Sequence, residues 1–117
     1  MLKEVYFFDD LTVKSIDAVC RALKLIPYRR KEKVISEGEG GKSFHLLYSG
    51  TARVYKGKTL FRPGRVIADL EQGSFFGEVA LINSSPRNAT VICNEDCEIF
   101  TLTRTAFQSI VAENKEF

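Results

Sequence analysis

From Val34 onward the apolar residues of this chain recur at a spacing of two, and glycines cut the pattern into short segments. Alternation of this kind puts apolar side chains on one face of a pleated strand, and glycine permits the sharp turns between strands, so the pattern demands compact antiparallel β structure. Gly40-Gly41 is expected to turn the chain between Val34-Ile35 and a strand through Phe44, Leu46 and Tyr48, which share one face. Ser49-Gly50 leads into a strand over 51–56, residues 57–65 with Pro63-Gly64 read as a surface loop, and Val66–Leu70 is the next strand. Ala89–Cys93 and Cys97–Thr103 follow, joined by the polar turn Asn94-Glu95-Asp96. A strand from Leu25, ending in the solvated run Tyr28–Lys33, brings the total to about eight.

Both ends change period. Val5, Tyr6, Phe7 and Phe8 belong to a short helix or turn, and Thr12 is placed to cap a helix carrying Val13, Ile16, Val19, Cys20 and Leu23 at three- and four-residue spacing. Near the other end Thr105-Ala106-Phe107-Gln108 has capping-box form, and Ala106, Phe107, Ile110 and Val111 give an apolar helix face. The expected organisation is one domain over 1–117: a helical segment 1–23, a β region 24–104 and the start of C-terminal helices at 105–117. A chain of this length buries roughly two-thirds of its unfolded surface, and its nine phenylalanines supply a core.

Charge names no partner. With 17 basic and 15 acidic residues interspersed, the net charge is +2 and no block points to nucleic acid or membrane. No apolar run approaches the roughly 20 residues of a membrane span, and Met1-Leu2-Lys3-Glu4 lacks a secretory pattern. Cys20, Cys93 and Cys97 form an odd set without metal spacing, which fits reduced thiols in a cytoplasmic protein, a Cys93–Cys97 bridge across a hairpin being the alternative. His45, the single histidine, has no nearby nucleophile pattern and reads as a strand residue rather than a catalyst; no metal or other cofactor is expected.

The stretch with chemistry runs from Phe75 to Thr90, F-F-G-E-V-A-L-I-N-S-S-P-R-N-A-T. Gly77 lets backbone approach a ligand closely, and a helical turn over Glu78–Ile82 would aim the free N–H groups of Val79 and Ala80 at an anion. Asn83-Ser84-Ser85-Pro86 breaks that turn, and Arg87 then presents a planar fork of donors suited to phosphate. Glu78 suits a hydroxyl better than a phosphate, and a sugar phosphate supplies both groups. The local residues equally permit a surface Glu78–Arg87 ion pair worth at most about 1 kcal/mol.

F-G-E-V-A-L-I followed by P-R-N-A-T resembles the phosphate-binding cassette of cyclic nucleotide-binding domains, specifically those of the cAMP- and cGMP-dependent protein kinases. Ile35-Ser36-Glu37-Gly38-Glu39-Gly40-Gly41, then Phe44, Leu46 and Gly50, match a second stretch in the right order. The resemblance implies a mainly β fold with flanking helices: a cyclic nucleotide-binding β-roll, or jelly-roll-like antiparallel barrel, with its cassette at 75–90. It implies that Glu78 accepts from the ribose 2′-hydroxyl, that Arg87 pairs with the cyclic phosphate, and that Gly77, Ala80 and Asn88 contribute backbone contacts around them; Val79 and Ala89 complete the expected ligand site. The implied ligand is cGMP or cAMP and the implied partner a kinase catalytic domain, in cis or in trans. No catalysis is implied for the domain itself.

Asn88 stands where cAMP-preferring kinase domains carry alanine and cGMP-preferring ones threonine. Its amide leans the expectation toward cGMP, whereas Ala68, where an arginine often meets guanine, leans away. Ligand binding is expected to pull the cassette inward and shift Leu81 and Ile82 against Phe107, Ile110 and Val111, changing how the final helix contacts a kinase domain. The chain stops before the helix that closes over the base, which suggests a piece of a larger protein; Phe117 as a capping aromatic is the alternative to a frayed end. A gated ion channel as parent, and a degenerate cassette used only for docking, are the competing readings.

Overall fold

The computed structural model describes residues 13–77 and 86–114. Helix α1 (Val13–Ala22) leads into strands β1 (Lys24–Tyr28), β2 (Lys33–Ile35), β3 (Ser43–Ser49), β4 (Ala52–Lys56), β5 (Arg65–Leu70), β6 (Phe75–Phe76), β7 (Thr90–Cys93) and β8 (Cys97–Thr103), and helix α2 (Arg104–Asn114) follows. The strands form two antiparallel four-stranded sheets, ordered β1-β8-β3-β6 and β2-β7-β4-β5. This is the expected mainly β fold with flanking helices, arranged as an open roll of two sheets rather than a closed barrel. Thr12, which was expected to cap α1, and the aromatics of residues 5–8 lie outside the described residues, as does Phe117.

Two apolar layers hold the roll. Leu47, Ala52, Val91, Cys93, Cys97 and Ile99 fill the space between the sheets. Val19, Phe44, Leu102, Phe107 and Ile110 pack the helices onto the outer face of the first sheet. That sheet is therefore covered on both sides, and β3 corrects the simple alternation expected of it: Phe44, His45, Leu46 and Leu47 are all buried, while Tyr48 is exposed. Phe44 faces the helices and Leu47 the second sheet. In α1, Val19 is fully buried but Cys20 is exposed, so the apolar stripe is narrower than its spacing suggested.

Three local expectations are revised. The turn after β2 falls at Glu37-Gly38, where Gly38 has φ +89° and the Glu39 N–H reaches Ser36 O at 3.1 Å, and not at Gly40-Gly41. Helix α2 is capped by Thr103, whose Oγ1 accepts from the Ala106 N–H at 3.1 Å, two residues earlier than the Thr105 box. Residues 94–96 do not close a hairpin: β7 belongs to one sheet and β8 to the other, so the turn carries the chain between layers. Cys93 and Cys97 are buried free thiols, with the Cys97 Sγ–H directed at the Thr51 and Glu95 carbonyls. Burial, followed by the neighbouring Cys97, pushes the Cys93 thiol up to about 12.

Candidate functional site

The two stretches singled out in the sequence meet in space. The Arg87 N–H donates to Glu39 O at 2.7 Å, Gly38 N–H donates to Arg87 O at 2.8 Å, and Gly40 bridges Pro86. The Glu37 N–H adds a bond to Thr90 Oγ1 at 2.9 Å. Residues 37–40 and 86–90 thereby form one unit, turned at Gly38, whose φ of +89° is a backbone conformation that glycine adopts freely.

This unit fixes Arg87 in a cleft of about 380 Å³, lined by Val34, Ile35, Glu39, Gly40, Lys42, Ser43, His45 and Arg87. The guanidinium donates from Nη2 to Ser43 O at 2.7 Å and reaches Gly77 O from Nη1 at 3.5 Å. Gly77 has φ +82°, and a Cβ there would stand 2.7 Å from Arg87 Nη1 and 3.0 Å from Ser43 O. The glycine is thus required both by its backbone conformation and by the arginine against it. Partial burial draws the Arg87 pKa below its ordinary value, an effect opposed by the nearby Glu39 carboxylate.

His45 enters the same cleft, although its sequence context pointed only to a packed strand residue. Its ring stacks on Phe76 with centroids 5.1 Å apart, and its nitrogens meet Ser43 Oγ at 3.0 Å and Thr101 Oγ1 at 3.1 Å. Burial, and then the Arg87 charge, lower its pKa from 6.5 to about 4, so it is neutral near pH 7. Arg87 and Lys42 are the cations lining the cleft. A pocket with a fixed guanidinium, a second cation, a neutral imidazole and glycine-rich backbone suits an anion of phosphate size.

Of the expected site residues, Gly77 and Arg87 are in contact, Ala89 is buried beside β7, and Asn88 is exposed on the bend between them. Glu78, Val79 and Ala80 lie outside the described residues, as do Leu81 and Ile82. Lys42, Ser43 and His45 were not expected in the site. Their only sequence signal was position: they directly follow the 35–41 glycine stretch. Among the described residues no group of acidic, histidine and cysteine side chains is arranged to hold a metal ion, and no helix is long and apolar enough to cross a membrane.

The fold is an open β-roll with helices on one sheet, and its candidate site is an arginine fixed in a cleft suited to an anion. The chain belongs to the cyclic nucleotide-binding domain family, whose pattern it matches over residues 25–114. Among curated proteins it is similar to the cAMP-dependent protein kinase regulatory subunits of Hypocrea atroviridis (36% identical over 94% of this chain and 22% of that protein) and Yarrowia lipolytica (39% identical over 94% of this chain and 28% of that protein). The chain therefore spans less than a third of either relative. Among solved structures, the regulatory domain of Toxoplasma gondii PKA crystallised with cAMP superposes with a TM-score of 0.77, at 29% identity, over 94% of this chain and 42% of that one. The Thermus thermophilus catabolite activator protein, 24% identical, shares the fold with a TM-score of 0.74 over 93% of this chain and 51% of that one. Both curated relatives are named as regulatory subunits, and the Toxoplasma gondii structure as a regulatory domain.

Proposed function

We propose that this chain is a cAMP-binding module of a protein kinase regulatory subunit. The observation that carries the reading is the Arg87 guanidinium, held by Ser43 O and Gly77 O at the mouth of a cleft whose walls come from both family-like stretches. In this reading Arg87 pairs with the cyclic phosphate, the Val79 and Ala80 N–H groups donate to it, and Glu78 accepts from the ribose 2′-hydroxyl. Gly77, Asn88 and Ala89 shape the wall. The lean toward cGMP drawn from Asn88 gives way to cAMP, because the similar regulatory subunits are cAMP-dependent and Ala68 offers guanine no donor.

The partner in this reading is a kinase catalytic subunit, and the signal leaves through α2. Arg104, the first residue of α2, donates from its backbone N–H to Lys42 O at 2.8 Å and from Nη1 to Gly41 O at 3.1 Å. The segment lining the cleft is thus tied directly to the helix, a polar connection that supports coupling alongside the apolar contacts of Phe107 and Ile110. Ligand moves such an equilibrium only by its differential affinity for the two arrangements. Calorimetric titration with cAMP and cGMP in parallel tests the proposal: saturable binding that favours cAMP is the expected result, and absence of binding to either nucleotide would leave a docking domain with a vestigial cassette.

A further inference from the structure

The hairpin joining β4 to β5 has no part in the nucleotide site, yet it carries the most exposed apolar side chains of the described residues. Leu60 and Phe61 are each 89% exposed. Isolated apolar side chains on a surface are ordinary; two large adjacent ones at the tip of a structured protrusion are not. The tip is structured: Thr59 N–H donates to Arg62 O at 2.8 Å, and Arg62 N–H donates to Thr59 Oγ1 at 3.1 Å, closing the loop across its neck. Below it, Glu37 Oε1 accepts from the Gly57 and Lys58 N–H groups at 3.0 and 3.1 Å, anchoring the hairpin to the turn after β2.

Charge is layered beneath the tip. The segment Lys56–Arg65, K-G-K-T-L-F-R-P-G-R, contains four cations and no acidic residue, although the chain as a whole is nearly balanced. Lys56 and Arg65 face each other across the last rung of the β4–β5 ladder. Lys33 joins Lys58 and Arg62 around the small groove beside Leu60 and Phe61. Lys58 is turned back onto Ser36 Oγ at 3.1 Å, whereas the ion pairs of the described residues, Arg21–Asp17 and Arg53–Asp69, include none of Lys33, Lys56, Arg62 or Arg65.

We propose that this hairpin docks the domain on an anionic phospholipid surface, with Leu60 and Phe61 entering the interfacial layer and Arg62, Arg65, Lys56 and Lys33 meeting the headgroup phosphates. The outward order, cations first and apolar tip beyond them, is the order in which a bilayer presents phosphates and then acyl chains. The groove beside the tip is small, about 190 Å³, and would seat little of a peptide or side-chain partner. A lipid surface needs no matching pocket. The expectation that no membrane partner is indicated rested on charge along the sequence; the hairpin concentrates cations that are only loosely clustered there.

The test is co-sedimentation of this chain with vesicles of phosphatidylcholine alone and with about one-third phosphatidylserine, at low and high salt. Binding is expected only with phosphatidylserine and is expected to weaken as salt rises. Leu60→Ser and Phe61→Ser should each reduce partitioning about tenfold or more, and Arg62→Glu similarly, with unchanged melting temperature and unchanged nucleotide titration, since none of these residues touches the core or the cleft. Failure to bind phosphatidylserine vesicles at low salt overturns the proposal. So does a Leu60→Ser/Phe61→Ser double variant that binds like the parent, which reduces the effect to diffuse charge. Capture by polyglutamate without capture by vesicles also overturns it, and assigns the patch to an acidic protein.

Discussion

Nη2 of Arg87 donates a 2.7 Å hydrogen bond to the backbone oxygen of Ser43, fastening the arginine of the cassette to the first residue of β3. In the proposed function this arginine has two duties, one within the protein and one toward the ligand. Arg87→Ala should lower nucleotide affinity by about 10- to 100-fold, the size of a lost charge-assisted pair, and Arg87→Lys should fall between, keeping charge but losing the planar fork. Titration calorimetry on variants checked for an unchanged circular dichroism spectrum reads this directly. Full affinity in Arg87→Ala would remove the residue from the site.

Gly77→Ala tests the backbone beneath that arginine. The substitution places a methyl group 2.7 Å from Arg87 Nη1 at a φ of +82°, so the chain must bear left-handed strain or displace the guanidinium. We expect a loss of about 1–3 kcal/mol in denaturant unfolding together with weaker nucleotide binding. Loss of stability with full affinity would show that Arg87 is not the group displaced.

Acid should weaken the fold through His45. Its folded-state pKa of about 4 lies below the ordinary 6.5, so between these values the unfolded chain holds the extra proton and the native state does not. The corresponding stability is fully present above pH 6.5 and is lost as pH falls toward 4. Its ceiling is on the order of 3 kcal/mol. Unfolding midpoints measured across this window should slope in the parent chain and flatten in His45→Phe; equal slopes in the two would assign the acid sensitivity to carboxylates.

The two threonines at the start of α2 separate a cap from a look-alike. Thr103→Ala removes the Oγ1 that accepts from Ala106 N–H and should cost about 0.5–2 kcal/mol. Thr105→Ala, at an exposed position, the second residue of the helix, should cost less than about 0.5 kcal/mol. The reverse order in thermal melts would restore Thr105 as the cap.

Period and punctuation made much of this fold legible before any coordinate. The β3, β4, β5, β7 and β8 segments were each readable from alternation between glycines or polar turns, and both helices from their apolar spacing. What alternation could not convey was layering. Phe44 through Leu47 are buried consecutively because helices cover one face of their sheet and the second sheet covers the other, a fact recorded in no local pattern. The 94–96 turn looked like a hairpin for the same reason: two strands and a polar turn read identically whether or not they share a sheet. In the cleft, Gly77 and Arg87 were readable because a glycine without steric freedom to spare and a forked cation have chemistry of their own. Ser43 contributes a backbone carbonyl and His45 a neutral ring between two hydroxyls, roles set by the β3–β8 register rather than by residue type.

Strand β8 lies between β1 and β3, pairing Ile99 with both Ile26 and Leu47. The last strand of the roll is therefore the middle of its sheet, and on a ribosome the strands made first must wait without their central partner until Thr103 has left the exit tunnel. Assembly of that layer is intrinsically late and non-local, and the nascent β1 and β3 edges are the surfaces a chaperone would have to shield in the interval.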